Sequence, residues 1–537
     1  MLSRREMLSL LLGAPLATLA CERHKPRAYA GSIVGGAKSF GHRIIASSGS
    51  ETDSTPEDSE IVIVGSGIAG LSAAWRLERQ GEPRYLVLEL ESRAGGTSCY
   101  GTDGIVPYPW AAHYLPVPDP SNVDLTALLR EVGAFERTRE AQWEPAENML
   151  VRAPEERLFV DGRWTSGLLP RGRMQPADWS DFQRFQRQVD QWTAYRDEQG
   201  RRAFTLPLTN CSPSSPWIKH DTMSAAEWLQ GENYQSKILK WWLEYGCRDD
   251  YGCTLQTTSA WALMLYHSAR VPISGAPSAP FMTWPDGNGH IVRHLEKIVG
   301  NRLRRQQMVL KVSSNEQHVE LSVVRSDGGA PYKLRARHVI LAVPQFIAQH
   351  LLTLADGGHP EPKRSFTYAP WLVANLHLRE RPRNQGFPLS WDNVLFDSPS
   401  LGYVVATHQT LKDDGPTIFT YYYPFTDSAP DKARQHLADL DHAACCDLII
   451  SDLIGAHPDL PQLVSRIDVW RWGHAMIRPT PGLIWGASPK DAQMPQGRIH
   501  FANTDLSGVA LFEEAHAHGV RTADSILRER RKIPGVG

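Results

Sequence analysis

After a polar stretch, residues 46–60 (ASSGSETDSTPEDSE), the chain turns abruptly apolar. Ile61 to Val64 reads as a buried strand, the Ala-rich pattern from Ile68 as a helix, and Tyr85 to Leu88 as a second buried strand. Gly65-x-Gly67-x-x-Gly70 lies between the first strand and the helix, and Glu89 ends the second strand. Strand, glycine turn, helix, strand and acid together make the βαβ dinucleotide fingerprint. Gly65 permits the tight turn, Gly67 lets the backbone approach a pyrophosphate, and Gly70 lets the helix pack on the strand. Ser66 and Ala69 complete the cofactor-facing turn. The N–H groups at the helix start attract phosphate, and Glu89 can accept hydrogen bonds from a ribose diol.

The pattern continues downstream. Met308 to Val312 alternates as a strand, and Lys333 to Pro344 reads as a strand ending at a small residue and a proline. Arg498 to Asp505 predicts a strand and turn, followed by a long helix from Phe512. Between these segments lie helical patterns, Ala177 to Tyr195 and Ala225 to Trp242, and strand-like ones, Leu372 to Leu378, Leu401 to His408 and Thr417 to Tyr423. In the last, Phe419, Tyr421 and Tyr423 fall on one face. No internal repeat is evident.

Four residues past Glu89 comes Arg93-Ala94-Gly95-Gly96, a second glycine pair able to bring backbone against a diphosphate. With this addition the chain resembles the flavin-containing amine oxidase superfamily and, more distantly, the phytoene desaturases. The segments 333–344 and 498–523 extend the resemblance over most of the chain. It implies an α/β fold: a Rossmann-like FAD-binding domain, residues 60–115, 284–348 and 465–530, with an interleaved α+β substrate-binding domain, residues 116–283 and 349–464. It implies FAD as cofactor, held by Gly65, Ser66, Gly67, Ala69, Gly70, Glu89, Arg93, Gly95 and Gly96. Thr97 stands where the family usually has a phosphate-facing arginine. Val309 falls where the family contacts adenine through the backbone. Asp505 falls where its Glu meets ribityl or phosphate oxygens, and the helix opened by Phe512 points its N-terminus at the flavin. The family's covalent-flavin cysteine has no counterpart, so non-covalent FAD is expected.

Composition narrows the class. The chain has 537 residues, 42% hydrophobic and 22% charged, with a net charge of −2, so no basic stripe is available for nucleic acid. The N-terminus is an address: Ser3-Arg4-Arg5-Glu6-Met7-Leu8 resembles a twin-arginine export motif, and the apolar segment to Ala20 is too short to span a bilayer. Residues 1–30 are therefore expected to be a signal peptide, 31–59 a flexible linker, and the protein periplasmic or lipid-anchored. Cys21 lies in an imperfect lipobox, Ala28-Tyr29-Ala30 offers an alternative cleavage site, and membrane contact is expected only through the signal or that lipid. The remaining six cysteines form no CxxC pair and no metal-ligand spacing.

The catalytic candidates follow from the resemblance. Tyr108 to Pro116 matches the family's small-residue loop beside the flavin, with Ala111 and Ala112 replacing glycines and His113 directly after. Its histidine could act as a base or orient substrate. Asn375 falls where amine oxidases carry a lysine that holds a water. Ala475 and Leu511 fall where monoamine oxidases frame the amine with two tyrosines. Arg248-Asp249-Asp250-Tyr251 offers paired carboxylates for a cationic amine or an ordinary helix end; Trp391-Asp392-Asn393, His290, Trp470 and Trp472 are equally open. The expectation is FAD-dependent hydride abstraction from a small molecule, most consistent with an amine, with O2 or another acceptor reoxidising the flavin. A desaturase or isomerase of an apolar substrate is the alternative. A redox-silent FAD-binding protein and a nicotinamide dehydrogenase are weaker readings.

Overall fold

Ile61–Val64 sits at the centre of a parallel sheet because both its faces are apolar. Ile61 and Ile63 enter one core, while Val62 and Val64 enter the core on the other side. The computed structural model describes residues 28–35, 55–139, 142–270, 280–326, 329–353, 358–359 and 365–531. In chain order, β1 (Glu57–Val64), α1 (Ile68–Arg79) and β2 (Tyr85–Leu88) are followed by β3 (Tyr114–Pro116), β4 (Glu156–Val160), β5 (Arg163–Ser166) and α2 (Lys237–Tyr251). Next come β6 (Phe281–Thr283), β7 (Leu303–Arg304), β8 (Gln307–Ser314), β9 (Val319–Arg325), β10 (Tyr332–Leu341) and β11 (Leu352–Thr353). The chain then forms β12 (Tyr368–Leu378), β13 (Asp392–Leu395), β14 (Gly402–Val405), β15 (Thr417–Pro424), β16 (Val464–Ile477), β17 (Ile499–Phe501) and α3 (Phe512–Arg531).

Eight strands form the first sheet, in the order β7-β2-β1-β10-β9-β8-β11 with β17 beside β10. β1 runs parallel to β2 and β10, and β17 runs parallel to β10. Helices α1 and α3 cover one face and approach closely: a Cβ on Gly519 would lie 2.2 Å from the Ala69 carbonyl oxygen. The second sheet has seven strands, in the order β16-β12-β15-β14-β13-β4-β5. The fold is thus the expected α/β type with an α+β region attached.

Three details differ from the sequence expectation. Residues 465–477 join the second sheet rather than the nucleotide sheet, because β16 pairs antiparallel with β12 from Tyr368–Ile477 to Leu378–Val464. The helical pattern Ala225 to Trp242 is broken in two: Ala225–Gly231 ends, Asn233 takes φ 56°, and Ser236 caps α2 by accepting from the Leu239 N–H at 3.0 Å. The presumed linker begins inside the fold. Ala30 and Ile33 bridge to Arg466 and Val469 on the free edge of β16, with Ile467 N–H donating to Ala30 O at 2.8 Å. The end of the expected linker is in the fold as well: Glu57 to Ser59 belong to β1 and pair with Leu334 to Ala336 of β10. The twin-arginine motif, the apolar segment and Cys21 lie outside the described residues. Among the described residues, no helix is long and apolar enough to cross a membrane.

Candidate active site

A cavity of about 490 Å³ runs from the first glycine turn, between the two sheets, to α2. Its nucleotide end is built from local geometry. Gly65 and Gly95 adopt left-handed φ of 98° and 109°, where a side chain would be strained. Gly95 N–H donates to Ser66 O at 2.9 Å, which draws the two glycine loops together. Glu89 is 9% exposed, and its Oε2 accepts from both the Ser66 N–H at 2.9 Å and the Ser66 hydroxyl at 2.6 Å. Its Oε1 accepts from Glu91 N–H at 2.8 Å. Burial nevertheless holds its pKa above the usual carboxylate range.

This wall fits a dinucleotide on three observations. A Cβ on Gly67 would meet no protein atom within 4 Å, so the backbone there is open to a ligand. The start of α1 has no side-chain cap, which leaves its N–H groups to the cavity. Asn288 Oδ1 is buried on the same wall without a partner. Ser66, Ala69, Gly96, Thr97, Val309, Asp505 and Phe512 also line the cavity. Asp505 Oδ2 accepts from Gln345 N–H at 2.7 Å and the Tyr368 hydroxyl at 2.6 Å, and burial raises its pKa to about 6.

His113 sits on the wall among the rings of Tyr114, Trp391 and Tyr422, with centroids 5.0, 5.5 and 4.8 Å away. Burial lowers its pKa to about 4, so the imidazole is neutral at pH 7 and a weak base. The loop that carries it is fixed carbonyl by carbonyl. Pro109 O accepts from Asn375 Nδ2 at 3.0 Å, Trp110 O from Trp472 Nε1 at 2.9 Å, and Ala111 O from the Tyr422 hydroxyl at 2.8 Å. Ala112 O accepts from Asn288 N–H at 3.1 Å, and His113 O from the Thr283 hydroxyl at 2.7 Å. Five donors from four distant segments hold five consecutive carbonyls.

Asp249, Asp250 and Arg270 also face the cavity, and Arg270 is the one arginine or lysine on its described wall. Arg270 is bound to Asp250 at 2.7 Å. Among the described residues, the one hydrogen-bond donor near Asp249 is the Tyr114 hydroxyl at 3.3 Å, which also lies 3.1 Å from Asp250. Burial, and then the charge of Asp250, raise the Asp249 pKa to about 7. Glu513, in the first turn of α3, is raised to about 7 by burial. Asp392 is raised as well, first by burial and then by the Asp249 charge. Two glutamates, Glu513 and Glu514, occupy a helix start expected to favour negative charge on the flavin, and burial raises both to about 7, which reduces the charge they place there.

Three residues expected at the site lie off the cavity wall. Gly70 packs under the turn, where a Cβ would lie 2.0 Å from the Gly65 carbonyl oxygen, so its part is to seat α1. Arg93 is exposed at the surface. Asn375 is fully buried, with Nδ2 on Pro109 O and Oδ1 accepting from the Thr420 hydroxyl at 2.7 Å. It positions the His113 loop instead of facing substrate. His290 stacks on Trp284 with planes 3° apart and is structural. Trp371, Tyr422, Trp472 and His474 line the substrate end, together with Ala475 and Leu511. The aromatic alternation read in the sequence, Phe419, Tyr421 and Tyr423, falls on the opposite face of β15 from Tyr422, and it is Tyr422 that meets the cavity.

Comparison with known proteins agrees with this geometry. The sequence profile described as flavin containing amine oxidoreductase matches residues 68–527. The L-amino acid oxidase of Bothriechis schlegelii is 24% identical over 438 residues, 77% of this chain and 76% of its own length. A triple mutant of a putrescine oxidase superposes with a TM-score of 0.63 at 16% identity, covering 88% of this chain and all of its own. A CLA-producing fatty acid isomerase from P. acnes superposes with a TM-score of 0.60 at 16% identity, covering 88% of this chain and 99% of its own.

Proposed function

The chain belongs to the flavin containing amine oxidoreductase family and is a flavin-dependent oxidoreductase; on that premise we propose that it binds FAD non-covalently and oxidises a cationic amine. The observation that carries the substrate class is Asp249, a cavity-wall carboxylate left without a cation because Asp250 takes Arg270. A protonated amine supplies the missing charge and returns Asp249 to its ionised form. The carboxylate of an amino acid would instead meet Asp249 and Glu513 with no unpaired arginine on the described wall to receive it, which favours amines without an acid group. Bound FAD supplies a two-electron acceptor. Asp249 would hold the ammonium, and the fixed His113 loop and the Trp371, Tyr422 and Trp472 rings would orient the carbon beside it. No cysteine of the described residues lines the cavity, in keeping with non-covalent cofactor.

The apolar wall at Ala475 and Leu511 favours a second reading, desaturation or isomerisation of an apolar substrate. Anaerobic mixing of the yellow protein with diamines, aryl amines and unsaturated fatty acids separates the two. Bleaching by amines alone supports the first reading; bleaching by the fatty acid alone overturns it. We also infer export in folded, flavin-loaded form, from Ser3-Arg4-Arg5 and the apolar segment to Ala20, with Cys21 as the lipid site. Retention in the cytoplasm of an Arg4→Lys/Arg5→Lys variant, read by cell fractionation, is the expected result.

A further inference from the structure

Away from the cavity, on the sheet face that carries α3, two histidines stand on neighbouring parallel strands. His500 of β17 pairs with Ile340 of β10, two residues from His338, so both side chains leave the same face. They are 5% and 2% exposed. His338 Nδ1 is 3.2 Å from His500 Nε2, and Oε2 of Glu529 on α3 is 4.0 Å from that same Nδ1. One ligating atom from each residue lies within 4.8 Å of the other two.

Zinc binds imidazole nitrogen at about 2.0–2.1 Å with tetrahedral angles, which places two coordinating nitrogens roughly 3.3 Å apart. The observed separation of 3.2 Å matches that spacing without movement of either buried ring. A hydrogen bond between neutral imidazoles gives a similar distance, so the third residue carries the distinction. The Glu529 side chain is 47% exposed, which leaves a route from solvent, and its carboxylate must move inward by roughly 1 Å to reach ligand spacing from both nitrogens. Two of the nearby arginines are offset: Arg530 is paired with Glu82 and lies 3.7 Å from Glu60, and Arg337 lies 4.0 Å from Glu60. Arg498 donates to the Glu316 carbonyl oxygen at 3.1 Å and keeps its charge, which Glu529 must outweigh. Two nitrogens and one carboxylate suit a borderline transition ion and not calcium or magnesium.

We propose that His338, His500 and Glu529 bind one divalent transition ion of the zinc class, with water completing its coordination. The ion ties the last turns of α3 to β10 and β17. The first turn of α3 lies on the cavity wall, seventeen residues and so about 25 Å away, which makes the site a brace and not a redox partner.

Calorimetric titration of the tag-free, chelator-treated holoprotein with Zn2+ tests this. The expected result is one ion per chain with Kd below about 10 μM and a rise in Tm at excess zinc. Glu529→Gln, a surface change, is expected to weaken binding at least tenfold while leaving amine turnover and the zinc-free Tm unchanged. His500→Gln is expected to abolish binding, and an anomalous zinc peak should fall between the two rings. Absence of binding at 100 μM zinc, or one-to-one binding that Glu529→Gln leaves unaltered, overturns the proposal. If His500→Gln fails to fold, the Glu529→Gln titration decides alone.

Discussion

Asp250 grips Arg270 through both carboxylate oxygens, at 2.7 and 3.1 Å, and so leaves its neighbour Asp249 without a direct ion pair. Adjacent aspartates at the end of α2 thereby take opposite roles: one is neutralised by protein, the other is left for a ligand.

Asp249→Asn should lower kcat/KM for a cationic amine by about 30- to 100-fold, on the order of 2–3 kcal/mol, because a buried ammonium loses its counter-charge. FAD content should stay near that of the parent and Tm at neutral pH should not fall, since the amide removes a charge that burial disfavours. Steady-state kinetics with an amine and with an uncharged analogue of the same shape measure this. Equal losses for both would mean that the carboxylate does not read charge.

The pH profile follows from the same residue. Its raised pKa means that Asp249 is protonated below about 7 and becomes charged as pH increases. For a substrate that stays protonated, kcat/KM should climb through about pH 7, and the Asn variant should lose that limb. Stability has the opposite sign. A carboxyl with a raised folded-state pKa favours the fold at low pH, and that contribution fades as pH rises from the ordinary Asp range through about 7. Thermal denaturation of the substrate-free protein at several pH values should show it, with less dependence in the Asn variant.

Two neighbouring glycines should behave differently. Gly67→Ala adds a methyl that meets no protein atom, so the protein should fold with an ordinary Tm of its apo form yet purify without yellow colour. Gly70→Ala places the methyl 2.0 Å from the Gly65 carbonyl oxygen and should destabilise the sheet–helix junction by several kcal/mol. Absorbance and calorimetry on both variants check the pair; a flavin-loaded Gly67→Ala would remove the turn from the cofactor site.

Asn375→Ala should cost about 2–3 kcal/mol, since it strands the buried Pro109 carbonyl and the Thr420 hydroxyl. Denaturant unfolding measures the loss. With its position behind the loop, KM is expected to move more than the pH dependence of kcat. A changed pH profile would instead place Asn375 in contact with the reacting groups.

What the sequence made legible was local. The strand, glycine turn, helix and Glu89 lie within thirty residues, and the contacts that shape them, such as Ser66 on Glu89, close over short spans. Asn375 was misplaced because its role depends on Pro109, 266 positions away, and no periodicity encodes that pairing. Asp249 stayed ambiguous for the same reason: Tyr114 lies 135 positions from it, and Arg270 chooses between adjacent carboxylates in three dimensions. The bridges from Ala30 and Ile33 were hidden because a short segment with no amphipathic pattern acquires meaning only beside β16.

Those bridges bring a leash with them. Tyr29 already packs on the core of the second sheet, so any group carried on Cys21 lies within eight residues of the fold, at most about 28 Å along a fully extended chain. A lipid at that position would hold the enzyme within the same distance of a bilayer, by the side of the fold where β16 ends the second sheet.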